Sequence, residues 1–173
     1  MIFLIPFGGV ALAAWMYFGG QFLPEGRNHK GNLLSPTLTL EAFQAANLNA
    51  DVLDGKWGIL VVADGECGET CKNSLYLTRQ AHIALNRNST RMSRFLVSDT
   101  APQPELQTFI DAEHDGLTVV KGAMPSLSHG SEGSVRIFLT DPLGNVMLWY
   151  NEEHTGKQIL KDMEKLLKTS RIG

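Results

Sequence analysis

The sequence predicts an α/β domain, a central mixed sheet with flanking helices, preceded by one N-terminal transmembrane helix. Residues 57–63 form a continuous apolar run, as expected for a strand that is covered on both faces in a parallel sheet. Residues 71–85 contain neither proline nor glycine and carry apolar side chains at helical spacing. Residues 1–24 contain no charged side chain. These three patterns together indicate a membrane-tethered α/β protein.

The uncharged N-terminal segment is long enough to span a bilayer, since about 20 helical residues cover the roughly 30 Å hydrocarbon core. A cleaved signal peptide is the alternative, because residues 11–13 read Ala-Leu-Ala. Apolar residues continue past that site to Leu23, which favours an uncleaved anchor. We therefore expect an anchor over 1–24, a polar linker over 25–36 and a folded domain over 37–173.

Charge and composition argue against a nucleic-acid partner. The chain has 173 residues, a formal net charge of -3 and a sequence pI of about 5.9. Its 15 lysines and arginines are scattered and form no basic stripe.

Hydrophobic periodicity and turn residues predict the order strand, helix, strand, helix, strand, β-hairpin, helix. The hairpin is expected around Pro142 and Gly144, and Pro104 is expected to open the second helix. His114 then falls at the end of that helix, where an imidazolium would favour the helix dipole in a structural role. Loops are expected over 87–91 and 121–134. The strands and helices are expected over residues 57–63, 71–85, 94–98, 104–113, 117–120, 135–139, 146–150 and 155–168.

The two cysteines of the chain, Cys67 and Cys71, lie where the first long strand gives way to a helix. A helix N-terminus favours a thiolate, whereas Glu66 and Glu69 beside the pair should raise the pKa of the thiols, so we expect thiols of ordinary acidity. The spacing would place both sulfurs on one face once Cys67 joins the first helical turn. They could then bond to each other or to a common ion. A purely structural disulfide is the alternative.

Several motifs in this order resemble the Sco/SenC family of thioredoxin-like, membrane-anchored cytochrome c oxidase assembly proteins. The motifs are Cys67-x3-Cys71, the strand that enters Ser98-Asp99, the hairpin segment 139–144 and Tyr150 before the last helix. The resemblance covers about residues 33–168 and implies a thioredoxin-like fold. The chain looks like a divergent member, since the position of the family's histidine falls at Gly133.

In that family the two motif cysteines and a distal histidine bind copper. The family delivers copper to the dinuclear copper site of cytochrome c oxidase, or reduces the thiols of that site. The resemblance implies that Cys67 and Cys71 are the redox-active residues and two of the copper ligands. The nearest candidate for the third ligand is His129, four residues before Gly133.

The resemblance also implies a partner and a location. The partner would be a cytochrome c oxidase subunit or another copper or thiol protein, and the domain would face the periplasm from the inner membrane. Arg27 and Lys30 follow the apolar segment, which under the positive-inside rule favours the opposite orientation. We therefore expect a basic extension upstream of Met1.

A general extracytoplasmic thiol–disulfide oxidoreductase, with one cysteine attacking and the other resolving, is the alternative function. Copper affinity and reduction potential distinguish it from an assembly factor. A peroxidase is disfavoured, because peroxiredoxins carry a threonine three residues before the reactive cysteine, and Gly68 holds that place before Cys71.

Overall fold

Six strands pair into one mixed sheet within residues 14–15, 29–127 and 133–170, the part of the chain that the computed structural model describes. The strands are β1 (Asn32–Thr39), β2 (Trp57–Ala63), β3 (Met92–Ser98), β4 (Leu117–Lys121), β5 (Val135–Thr140) and β6 (Asn145–Tyr150). Across the sheet their order is β1-β6-β5-β2-β3-β4. The expected α/β architecture, a central mixed sheet with flanking helices, is confirmed.

The strand β2 lies inside the sheet, and every one of its residues is buried. It pairs in parallel with β3 and antiparallel with β5, and β3 pairs in parallel with β4. Burial on both faces explains the continuous apolar run of this strand. Since β2 and β3 run in the same direction, their carboxyl ends meet at one edge of the sheet, where Ala63 and Ser98 are register partners.

The α-helices are α1 (Ala50–Leu53), α2 (Glu69–Ala84), α3 (Pro104–Glu113) and α4 (Gly156–Thr169), among the described residues. The three longer helices α2, α3 and α4 share one apolar core with the sheet, to which Leu75, Ile110 and Met163 contribute. A second core includes residues between β1 and β2. There the Phe43 ring packs edge-on against Phe138 with the ring centroids 5.2 Å apart. The sheet is therefore covered on both faces.

The secondary structure predicted from residue 57 onward is largely confirmed, with element ends that shift by one or two residues. Pro104 is the first residue of α3, as expected for a residue that needs no helical N–H partner. One loop is different. Residues 87–91 belong to a 3-10 helix, Asn86–Arg91, in which the Ser89 hydroxyl donates to the Asn86 carbonyl at 2.7 Å and the Met92 N–H donates to the Ser89 carbonyl.

The strand β1 was not predicted, and it includes residues 32–36 of the expected linker. Asn32 and Leu33 pair with Trp149 and Leu148 of β6. Pro36 lies inside this strand, and proline within a sheet is tolerated on an edge strand, where one row of N–H groups needs no ladder partner. The edge position of β1 thus explains why a segment with a proline pairs at all.

The expected anchor, residues 1–24, lies outside the described residues except for Ala14 and Trp15, which are helical and exposed. Within the described ranges, no helix combines the length and the apolar character needed to cross a membrane.

Candidate functional site

A disulfide joins Cys67 and Cys71 at the carboxyl end of β2, with their Cα atoms 5.0 Å apart. The expectation that the two sulfurs can meet is therefore confirmed. The route differs from the expected one, because Cys67 does not belong to the first turn of α2. Gly68 caps that helix with an extended backbone, and the Lys72 N–H donates to its carbonyl at 3.0 Å. The disulfide thus links the turn that follows β2 to the first turn of α2.

The two sulfurs have different surroundings. Cys71 is 0% exposed and packs in the core shared by the sheet and its longer helices, beside Leu75. Cys67 is half-buried and lines a cleft of about 110 Å³. A partner molecule can therefore reach Cys67 but not Cys71 in this conformation.

The turn that carries Cys67 is fixed by the end of the neighbouring parallel strand. The Ser98 hydroxyl donates to the Gly65 carbonyl at 3.1 Å, and the Thr100 hydroxyl donates to the same oxygen at 3.3 Å. The Gly65 N–H donates in turn to the Asp99 carboxylate at 3.1 Å. These bonds set the direction in which the chain passes from β2 to Cys67.

Charged and polar side chains surround the disulfide. Glu66 accepts a hydrogen bond from the Gln103 amide at 2.6 Å, which joins the cysteine turn to the segment that precedes α3. Glu69 forms an ion pair with Lys72 at 3.1 Å. Both partners of that pair are substantially exposed, so the pair adds little stability. The pair nevertheless places the positive charge of Lys72 next to Glu69, whose negative charge disfavours a thiolate at the neighbouring cysteines.

The cleft beside Cys67 has an apolar floor and a polar rim. Leu96, Leu106 and Val119 contribute the apolar part, and Gln103 and Glu105 line it on the side of α3. An apolar floor bordered by hydrogen-bonding groups suits the side chain of a bound peptide. The cleft is open to solvent next to the accessible sulfur. None of its α3-side residues was predicted as part of the site.

No group of three or more histidine, cysteine or acidic side chains that could hold a metal ion occurs in residues 29–127 and 133–170. His129, the expected third copper ligand, lies outside the described residues. Cys67 and Cys71 are both engaged in the disulfide, and a sulfur in that form is not the thiolate that binds soft metals. A metal could therefore bind this pair only after reduction.

His114 is not the imidazolium expected at the end of α3. Its side chain is 2% exposed, and its Nδ1 accepts a hydrogen bond from Arg94 Nη2 at 3.0 Å. Burial, followed by the positive charges of Arg94 and Arg79, holds the pKa of His114 below its usual value. The ring is neutral, so the interaction with the helix dipole is replaced by a buried hydrogen bond.

The sequence profile of a family described as "Transmembrane-like, thioredoxin-like, C-terminal domain" matches residues 57–170. That range contains both cysteines and every strand except β1. No curated protein sequence matches the chain significantly.

Solved structures of Sco proteins share the fold. Copper-bound ScoI of Arabidopsis thaliana is 16% identical with a TM-score of 0.54, over 81% of this chain and 99% of that chain. Copper-bound yeast Sco1 is 14% identical with a TM-score of 0.53, over 82% of this chain and 90% of that chain. BsSco, a member of the Sco family of cytochrome c oxidase assembly proteins, is 15% identical with a TM-score of 0.51, over 82% and 98%. At such identities the likeness establishes a thioredoxin-like fold.

Proposed function

Because the chain belongs to the family of transmembrane-like, thioredoxin-like C-terminal domains, we propose that it is a thiol–disulfide protein of Sco type that acts through Cys67 and Cys71. One observation carries this function: a disulfide joins a half-buried Cys67, which borders a cleft, to a fully buried Cys71. An exchange reaction suits such a pair, since a partner needs to reach only one sulfur. The disulfide switch described for BsSco is consistent with this function.

The exchange proceeds in two steps. In the reduced protein, the Cys67 thiolate attacks one sulfur of a partner disulfide, forms a mixed disulfide and releases the first partner thiolate. The Cys71 thiolate then attacks the Cys67 sulfur, which closes the intramolecular disulfide and releases the second partner thiolate. Two electrons pass from this chain to the partner, and the two protons lost by the cysteines balance those gained by the partner thiols. The N-terminus of α2 favours a thiolate at this pair, whereas Glu66, Glu69 and the burial of Cys71 oppose it.

Exchange with glutathione tests this assignment in the full chain. Oxidised glutathione should convert the reduced protein into the intramolecular disulfide, with loss of two hydrogens by mass spectrometry. A Cys71→Ser variant should retain a glutathione adduct on Cys67, whereas Cys67→Ser should form the adduct at least about tenfold more slowly because Cys71 is buried. Equal adduct formation in the two variants would remove Cys67 from the attacking role.

We also propose that the reduced pair carries Cu(I) as cargo for a cytochrome c oxidase subunit or another copper or thiol protein. Cu(I) is soft and prefers thiolate ligands, which the pair supplies once the disulfide is reduced. The Cys67-x3-Cys71 resemblance and the copper-bound ScoI and Sco1 structures support this role. His129 is the proposed third ligand, which would add a nitrogen to two sulfurs.

Copper titration of the reduced full chain tests the cargo. A His129→Ala variant should weaken copper affinity by at least about tenfold, roughly 1.4 kcal/mol, and leave disulfide formation unchanged. The control is His154→Ala, since the His154 ring bonds to Asn151 and lies before α4. Unaltered affinity in His129→Ala would remove that residue from the site. Absence of copper binding in the parent would favour the general thiol–disulfide oxidoreductase.

The location is proposed on sequence grounds. Residues 1–24 are proposed to anchor the chain in the inner membrane because the segment is apolar and uncharged. The proposal that the domain faces the periplasm rests on the resemblance to the Sco/SenC family, against the preference set by Arg27 and Lys30. Reporter fusions after residue 31 test the orientation. A reporter that is active only in the cytoplasm would contradict it.

A further inference from the structure

Helix α4 gathers lysines on the face that points away from the core. The basic residues are scattered along the chain as a whole, but spacings of four, four and three residues within this helix place four of them on one side. We call this side the lysine face, and its members, all exposed, are Lys157, Lys161, Lys165 and Lys168. On the opposite side of α4, Ile159, Met163 and Leu167 are buried.

The lysine face is a positive region on an acidic protein, since the chain has a formal net charge of -3. Among the described residues of α4, Glu164 is the only exposed carboxylate. The glutamates at 152–153 lie in the turn that precedes the helix. Lys157, Lys161 and Lys168 form no ion pair with any carboxylate in the part of the chain that the structure describes. The positive charge of this face is therefore available to an external partner.

Two further cations flank the lysine face. The Arg91 guanidinium donates to the Leu167 and Ser170 carbonyls at the end of α4, at 2.9 and 3.2 Å. Lys30 is exposed and lies beside α4, because its backbone N–H donates to the Asp162 carboxylate. An amphipathic helix with lysines on its polar side is typical of segments that bind anionic lipid headgroups.

The chain enters the domain next to this face. Asp162 of α4 accepts from the Lys30 N–H at 2.7 Å and from the Gly31 N–H at 2.8 Å, which fixes the entry point. Only residues 25–29 separate Lys30 from the apolar segment 1–24, and fully extended they span about 20 Å. A helix with its side chains is about 10–12 Å across, so the lysine face lies within about that distance of the entry point. An anchor over residues 1–24 would therefore hold α4 close to the bilayer.

We propose that the lysine face of α4 docks on the anionic lipid headgroups of the membrane that holds the chain. This inference rests on the anchor proposed for residues 1–24, because the short tether brings the face into electrostatic range, which is about 8 Å at physiological ionic strength. Lipid phosphates supply both acceptors and negative charge to the ammonium groups. Docking would turn the α4 side of the domain toward the bilayer.

Amine labelling of the full chain in lipid vesicles tests the docking. One sample contains phosphatidylcholine alone, and the other contains equal parts of phosphatidylcholine and the anionic phosphatidylglycerol. An uncharged amine reagent that does not cross the bilayer modifies the outward-facing domains, and mass spectrometry gives the rate at each lysine. At low salt the lysine face should react at least about threefold more slowly on the anionic vesicles, and high salt should remove the difference. Lys121 is the internal control, since it is exposed on β4, at the other edge of the sheet from β1, and should react equally in both samples.

Variants at exposed lysines leave the core intact and make the result specific. In a triple variant, Lys157→Gln with Lys161→Gln and Lys168→Gln, the remaining Lys165 should lose its protection on anionic vesicles. Lys121→Gln removes one charge elsewhere and should retain the protection of the lysine face. Equal reactivity of the lysine face on the two kinds of vesicle, or retained protection of Lys165 in the triple variant, would overturn the docking.

Flotation of the same samples separates the docking from the anchor. A chain that floats with neutral vesicles but reacts equally on both kinds of vesicle has the anchor and not the docking. A chain that floats only with anionic vesicles, with its lysine face protected there, docks through α4 and lacks the anchor. Glutathione exchange at Cys67 is measured without lipid, so neither result changes the test of the thiol function.

Discussion

Gly65 sets the geometry of the cysteine turn through a conformation that other residues rarely adopt. Its φ is +86°, and no atom lies within 4 Å of a Cβ built on it. A Gly65→Ala variant would therefore meet backbone strain without a steric clash. We expect it to lower the free energy of unfolding by about 1 kcal/mol or more, measured by urea denaturation of the oxidised protein.

The matched control is Gly156→Ala at the start of α4. Its added Cβ would lie at an ordinary contact distance, 3.4 Å, from Leu77, and a helical alanine is intrinsically favoured. We expect no loss of stability there. Equal stability losses in the two variants would show that the conformation of Gly65 is not what matters.

His114 should make the stability of the domain depend on pH. Burial has the largest effect and lowers the folded pKa of His114, the charges of Arg94 and Arg79 lower it further, and Glu113 opposes them. Because the unfolded histidine, with a pKa near 6.5, binds a proton more readily than the folded one, the unfolding free energy should fall as the pH drops below about 6.5. The slope cannot exceed about 1.4 kcal/mol per pH unit for one proton.

A His114→Gln variant tests this dependence. Glutamine can accept from Arg94 but does not titrate, so the slope between pH 7 and pH 5 should decrease. The measurement is urea unfolding at several pH values for the parent and the variant. A slope that is the same in both proteins would contradict a role for His114.

Individual residues of the site were predictable only in part. Cys67 and Cys71 are evident from the sequence because soft, redox-active side chains are rare in it. Ser98, Thr100 and Gln103 were not assigned to the cysteine turn, since their bonds depend on how two parallel strands end side by side. The sequence did contain one clue. The strand β3 runs into polar residues just as β2 runs into the cysteine turn, and two neighbouring parallel strands end at the same edge of the sheet.

Among the elements, α4 carries the strongest local start signal. The Thr155 hydroxyl accepts from the Gln158 N–H at 3.4 Å, and the Gln158 side chain accepts from the Thr155 N–H at 2.7 Å, which completes a capping box. A Thr155→Ala variant should lower the unfolding free energy by about 1 kcal/mol, as measured by urea denaturation.

Thr169→Ala at the other end of α4 is the control for that change. The Thr169 hydroxyl only donates back to the Lys165 carbonyl at 2.9 Å, a bond that contributes little to helix stability. The stability change there should be within about 0.5 kcal/mol. A larger loss from Thr169→Ala than from Thr155→Ala would argue against the cap.

Elements with a clear hydrophobic period were predictable, and β1 was not. The strands β2 and β3 have buried apolar runs that local sequence alone reveals. In β1 most residues are exposed, and its pairing with β6 joins residues more than 100 positions apart. Such a strand is determined by its partner, because its own residues bury little apolar surface.

At the scale of the whole molecule, two polar regions lie toward opposite ends of the parallel strands. The cysteine turn lies beyond the carboxyl ends of β2 and β3, whereas the Arg94–His114 pair lies toward their amino ends. The apolar core beneath α2 and α3 lies between them. Variants of the Arg94–His114 pair are therefore expected to leave thiol exchange at Cys67 unchanged.

The segment that precedes β1 is held against α4 by one buried carboxylate. Asp162 is 2% exposed and accepts from the Lys30 N–H at 2.7 and 2.9 Å, from the Gly31 N–H at 2.8 Å and from the Tyr150 hydroxyl at 3.0 Å. Burial and the Asp162 charge raise the pKa of Tyr150, so its hydroxyl remains a donor. A Cβ on Gly31 would lie 2.5 Å from the Tyr150 ring, which requires glycine there. This clamp fixes where residues 29–31 enter the domain.

An Asp162→Asn variant should release that clamp. The amide keeps the shape of the carboxylate, but it replaces one acceptor with a donor that faces other donors, which leaves buried groups unsatisfied. We expect a loss of about 2 kcal/mol in unfolding free energy and faster hydrogen exchange at the Lys30 and Gly31 amides. Glu164→Gln, an exposed charge change on the same helix, should alter neither quantity. Retained protection of both amides in Asp162→Asn would mean that backbone packing against Tyr150, and not the carboxylate, holds this segment in place.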